Sequence, residues 1–161
     1  MNQLELVIKM TIAEWQKQNG RLDKILETHT AIQLAAPTAP NRNTGIYLVG
    51  HLTAVNDGML PLLGFGPKLH PELEAVFLTN PDTAGLERPS LDTLKGYWKE
   101  INAKLSRHMD EMKPDDWFTR HTAVSEEDFA KEPHRNKLNI IINRTNHQSY
   151  HLGQLAYLKD R

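Results

Sequence analysis

Side chains suited to a buried face recur at spacings of three and four through most of the chain, the period of an amphipathic helix. From residue 2 to 32, Leu4, Ile8, Thr11, Trp15, Gln18, Leu22, Ile25 and His29 step by four and three without a break. Gly20 lies inside this run and weakens it by about 1 kcal/mol relative to alanine. Pro37 and Pro40 follow, and proline lacks an N–H and restricts the residue before it, so the helix stops ahead of them. A second helix is predicted over 43–62, started by Asn43 or Thr44 and carrying Tyr47, Leu48, His51, Ala54, Val55 and Gly58 on one side. Gly64-Phe65-Gly66-Pro67 ends it. A third spans 90–112, capped by Ser90, with Leu91, Leu94, Trp98, Ile101, Leu105, Met109 and Met112 as its stripe. A fourth covers 133–159, with Pro133 in its first turn and Leu138, Ile141, Ile142, Thr145, Leu152, Leu155 and Ala156 on its buried face.

The stretches between differ in length. Residues 64–90 form a long connection with room for a short helix from Pro71 to Leu78, then a turn at Thr79-Asn80-Pro81-Asp82. Residues 114–132 read as irregular, with Trp117 and Phe118 either anchoring them to the core or forming a short extended piece. Four long helices without a strand signal predict an all-α fold, a four-helix bundle in one domain over 1–161. The first connection suits antiparallel neighbours. The second is long enough to return along the bundle, so the expected order is up-down-down-up.

Composition narrows the classes. The 161 residues are 39% hydrophobic and 24% charged, which fits a globular domain able to bury its own core. There is no cysteine, which excludes disulfides, zinc ribbons, iron–sulfur clusters and a cysteine nucleophile. A net charge of −1 gives no basic surplus for nucleic acid. No apolar run approaches the roughly 20 residues of a membrane span. The segment Met1 to Glu5 has neither a basic nor an apolar leader pattern, so the expected setting is the cytoplasm.

The eight histidines carry the chemistry. His147 and His151 are four apart, on one face of the fourth helix. Chance alone supplies roughly 0.4 such pairs, so the spacing by itself is a weak motif. Its setting adds to it: Ile140, Arg144, His147, His151, Gln154 and Leu158 run beside the apolar face, and His51 holds a similar place on the second helix. Three imidazoles turned inward need partners. One divalent ion would satisfy all three and keep a position open for water or substrate; bonds to backbone or to one another are the other reading. All-nitrogen ligation suits zinc, nickel, copper or iron.

Other residues carry two readings each. Arg144 either pairs with an anionic group of a ligand or is an ordinary solvated arginine. Gln154 either orients a metal-bound water or makes a polar contact between helices. Asp57 is read as a surface residue in preference to an acceptor behind the ligands. Gly50 and Gly153 are read as allowing close helix packing. His134, Arg135 and Lys137 are expected to pair with Glu126, Glu127 or Asp128.

Several motifs are excluded. Gln148 stands where a zincin protease needs glutamate. Gly64-Phe65-Gly66 lacks the context of a phosphate loop, there is no Gly-x-Ser-x-Gly elbow, and the fourth helix has no Glu-x-x-His pair for a di-iron site.

Gly50-His51-Leu52 together with His147-Gln148-Ser149-Tyr150-His151-Leu152-Gly153-Gln154-Leu155 resembles the DinB-like superfamily of bacterial four-helix-bundle metalloproteins. The resemblance spans essentially the whole chain. It implies an up-down-down-up bundle, often dimeric, with zinc or nickel on His51, His147 and His151. It also implies a low-molecular-weight thiol as co-substrate; Arg144 and Gln154, from their place on the histidine stripe, are the candidate substrate contacts. Bacillithiol transferases and mycothiol-dependent isomerases of this superfamily activate such a thiol towards a small electrophile, and a metal-bound thiol is the deprotonated, nucleophilic form. The expectation is therefore a metal-dependent thiol transferase, isomerase or hydrolase, homodimeric, with no membrane or nucleic-acid partner. The competing class is a stress-associated binding protein whose metal is structural.

Overall fold

A computed structural model describes residues 2–159, leaving the ends of the expected 1–161 domain outside the described residues. The chain is all-helical, and no strand occurs among the described residues. Nor is any helix of the described residues long and apolar enough to cross a membrane.

Helix α1 (Gln3–Thr28) starts on a reciprocal cap, Asn2 accepting from the Glu5 N–H and Glu5 from the Asn2 N–H, and runs through Gly20 unbroken. It ends at His29, before the predicted 32. Thr30 takes the Gln33 N–H and Gln33 returns to the Thr30 N–H, so a second cap opens α2 (Ala31–Ala35). The next predicted helix is also divided. Thr44 caps α3 (Gly45–Asp57), and after Gly58 a short α4 (Met59–Leu63) continues. Pro61 has no N–H to give the Asp57 carbonyl four residues back, which removes a bond at the joint. Gly64, at φ +80°, closes α4 in a left-handed turn that other residues rarely adopt.

The long connection holds α5 (Leu73–Phe77), inside the predicted short helix, and a single 3-10 turn at Asp82–Ala84. Helix α6 (Leu91–Glu111) is capped by Ser90 and buries Leu94, Trp98, Ile101, Leu105 and Met109 of the expected stripe, whose ends, Leu91 and Met112, are half-buried. The stretch read as irregular is largely helical. A 3-10 segment, Pro114–Phe118, precedes α7 (Glu126–Lys131); Trp117 is buried and anchors the stretch together with Val124, whereas Phe118 lies at the surface. Helix α8 (Lys137–Ala156) begins at the Asn136 cap, three residues beyond Pro133. His134 and Arg135 therefore precede the helix. Arg135 pairs with Glu132, and Glu126 is taken by Arg120. Ile142 and Ala156, expected inside, face solvent, while Ile140 and Gln148 are buried.

The core falls into two apolar groups. One gathers Leu22 and Leu26 of α1, Leu48 and Leu52 of α3, Leu94 and Trp98 of α6, and Leu155 with Leu158. The other joins Ile8 and Trp15, Met59 and Leu63 of α4, Ile101, Leu105 and Met109 of α6, Trp117, and Leu138 with Ile141. Asparagines from three helices meet across the fold: Asn102 Oδ1 accepts from Asn56 Nδ2 at 2.8 Å and Asn19 Nδ2 at 3.4 Å.

Asp57 is 1% exposed, against the expectation of a surface position. Its two carboxylate oxygens accept the N–H groups of Leu69 and His70, each at 2.8 Å. The reason it is buried lies in the connection, which folds back over the end of α3. Charge-assisted bonds of this kind contribute roughly 1.5–3 kcal/mol each. Asp57→Ala should therefore lower unfolding stability by about 3 kcal/mol, and Asp57→Asn by less, because one acceptor oxygen stays. Urea titration checks this, and a loss below about 1 kcal/mol for the alanine variant would mean that water replaces the carboxylate freely.

Candidate metal centre

Helix α3 contributes His51, and α8 contributes His147 and His151 from successive turns of one face. His147 Nε2 lies 3.1 Å from His51 Nε2 and 3.1 Å from His151 Nε2. The three rings each offer a nitrogen within 4.8 Å of the others. All three imidazoles expected to ligate meet at one point.

The outer nitrogens decide what the inner ones can do. His51 Nδ1 lies 2.9 Å from the Phe77 carbonyl, and His151 Nδ1 lies 2.7 Å from Gln154 Oε1. Both partners are acceptors, so each Nδ1 carries the proton and each Nε2 presents a bare lone pair. His147 Nε2 faces both lone pairs and has at most one proton to offer. One contact is then always unsatisfied, whereas a cation would satisfy all three nitrogens. Zinc–nitrogen bonds of about 2.0–2.1 Å at tetrahedral angles set ligand nitrogens roughly 3.4 Å apart, close to the spacing found. The donor set fits a divalent metal.

Electrostatics agree. Burial, with His151, His51 and Arg144 close by, lowers the His147 pKa from 6.5 to about 4. Burial also lowers the pKa of His51 and His151, only partly countered by the Phe77 carbonyl and by Gln154. All three rings are neutral near pH 7, the form that binds metal. Arg144 is half-buried, and burial lowers its pKa. Its Nε is buried without a hydrogen-bond partner. The ion pairs of the described residues do not include it. An uncompensated guanidinium beside neutral imidazoles favours an anion. Gln154, expected at the substrate, lies with its oxygen against His151 and holds that ring.

Two features behind the ligands have no signal in the sequence. The Phe77 carbonyl has no residue-type signature. The Tyr47 ring lies parallel to His51, with 6.5 Å between centroids. Gly50 packs under Phe77, whose ring atoms would lie 2.3–2.6 Å from a Cβ built there, so the close-packing expectation holds for Gly50. It fails for Gly153, which is exposed and has open space where a Cβ would stand. His29, His70, His108 and His121 lie outside the cluster; His70, for one, sits between Glu72 and Glu100.

The depressed histidine values fix a sign. Between pH 6.5 and about 4 the unfolded chain takes up a proton at residue 147 that the folded chain refuses. Stability of the metal-free protein is therefore full above 6.5 and falls as the pH drops towards 4. His147→Gln should make that part of the pH dependence shallower in urea titrations at stepped pH. An identical slope in both proteins would refute the assignment.

No curated protein matches the chain. The family described as the DinB superfamily matches residues 14–155, a span that takes in His51, His147 and His151. With most of its length covered by that match, the chain belongs to the DinB superfamily.

Proposed function

We propose that this chain is a metal-dependent enzyme that binds zinc or nickel through His51, His147 and His151 and activates a low-molecular-weight thiol, or water, towards a small electrophile. The observation that carries the reading is the meeting of three Nε2 atoms, two of them turned inward as bare lone pairs by protonated Nδ1 atoms. Three nitrogen ligands with no carboxylate in the group leave a coordination position for an exogenous ligand. A metal bound there supplies Lewis acidity that converts a thiol to thiolate near neutral pH. The chain's own residues do the rest. Phe77 and Gln154 hold two rings in the ligating tautomer, and Arg144 takes an anionic group of the thiol or substrate. Gln154 also borders the space where substrate would lie.

The same reading takes residues 1–161 as one domain, a homodimer in the bacterial cytoplasm, linked to stress response as the superfamily resemblance implies. It takes the main helices as a four-helix bundle in up-down-down-up order. The pairing of ends supports that order: the beginning of α1 shares its apolar group with the beginning of α8 and with the far ends of α4 and α6.

The competing role is a structural metal, favoured by one observation: the ligands come from two helices, so an ion would cross-link α3 to α8. Elemental analysis of untagged protein is expected to find about one divalent ion per chain, lost in His51→Gln, His147→Gln and His151→Gln. Bacillithiol or mycothiol added to cobalt-substituted protein should shift its absorption bands, and Arg144→Ala should weaken that response. Absence of bound metal in the wild type would overturn the proposal. A metal that raises the melting temperature but whose spectrum no thiol moves would establish the structural role.

A further inference from the structure

Two of the ligating rings are braced, and they are braced differently. His151 leans on Gln154, one turn along its own helix, whereas His51 leans on the carbonyl of Phe77, in the connection between α4 and α6. A carbonyl in a connection keeps its direction only if the connection is tied down. The tie lies at residues 80–88. Asp82 Oδ2 accepts the Thr44 N–H at 2.6 Å and the Thr44 hydroxyl at 2.9 Å, at the very start of α3. Asp82 Oδ1 meets Arg88 Nη1 at 2.6 Å, and the guanidinium lies over the Tyr47 ring, 5.5 Å from its centroid. Tyr47 donates its hydroxyl to the Asn80 carbonyl at 2.7 Å, with the Phe77 carbonyl at 3.4 Å. Thr44, Tyr47 and His51 are spaced three and four apart, so they follow one face of α3. The connection is laid along that face, from Arg88 over the cap to Phe77 over the ligand.

We propose that Asp82 is a positioning residue for His51. By clamping the connection to the first turn of α3 it fixes the Phe77 carbonyl, and through that carbonyl the direction in which His51 Nε2 faces the pair on α8. Its functional meaning rests on the metal reading above; the geometry it predicts exists in the metal-free chain.

The test uses full-length protein and two readouts. Zinc affinity is measured by competition with a chromophoric chelator, and the His51 ring tautomer by long-range proton–nitrogen NMR of the metal-free protein. Asp82→Ala should weaken zinc binding about tenfold, the scale for residues that orient a ligand. It should also convert the His51 signal from one Nδ1–H tautomer to a mixture while leaving His151 unchanged. Asp82→Asn, which keeps an acceptor for Thr44, should recover much of the loss. If Asp82→Ala does not fold, Tyr47→Phe removes a single hydroxyl from the same tie and should move both readouts in the same direction by less. A folded Asp82→Ala with a lower melting temperature but unchanged zinc affinity and tautomer would overturn the proposal, leaving Asp82 a stabilising contact only. Wild-type protein that binds no zinc, yet loses its single His51 tautomer in Asp82→Ala, would sink the metal reading and uphold the positioning role.

Discussion

Imidazole nitrogens brought face to face in threes cannot all be satisfied by protons. Each neutral ring has one donor and one acceptor, and here two of the three donors are committed outward, to Phe77 and Gln154. What is left inside is an excess of lone pairs in a partly dry setting, where unpaired polar atoms are costly. The arrangement makes physical sense around a cation and little sense without one. The neutral state of the rings, the isolated charge of Arg144 and the placement of the connection all bear on this one spot.

The fold maintains the convergence by distributing the work. Helix α8 supplies two rings by simple periodicity, so their relative placement is local. The third ring comes from α3, and its aim depends on long-range contacts: the Phe77 ring pressed on Gly50 and the Phe77 carbonyl on His51. The connection between α4 and α6 is thus part of the site. Asp57 ties it down at Leu69 and His70, and Asp82 ties it down at Thr44. Two carboxylates that bind backbone N–H groups hold a loop that would otherwise be free to move.

Much of this is legible in the chain because helical periodicity is local. The stripe of α6, the 147/151 pair and the place of His51 among apolar neighbours follow from spacing alone. The helix boundaries are less legible. The breaks at His29 and Gly58 do have signals, a capping pattern at Thr30 and Gln33 and the missing N–H of Pro61, but long amphipathic runs mask them. Pro133 points to an early start for α8, where the Asn136 cap prevails. Asp57 could not be placed from its angle on the helix, because its burial is decided by residues 69 and 70 folding back from beyond the helix end. The Phe77 carbonyl is illegible in principle, since every residue carries the same backbone oxygen.

The asparagine trio has a further bearing on the site. Apolar side chains tolerate axial sliding of one helix past another, because a leucine packs nearly as well one turn along. Directional bonds among Asn19, Asn56 and Asn102 do not: a slip of one turn, about 5.4 Å, would strand buried amides. That polar tier works as a vernier mark on the helix stack. It sets the height of α3 against α1 and α6, five residues past His51, and so the level at which that imidazole stands in the stack.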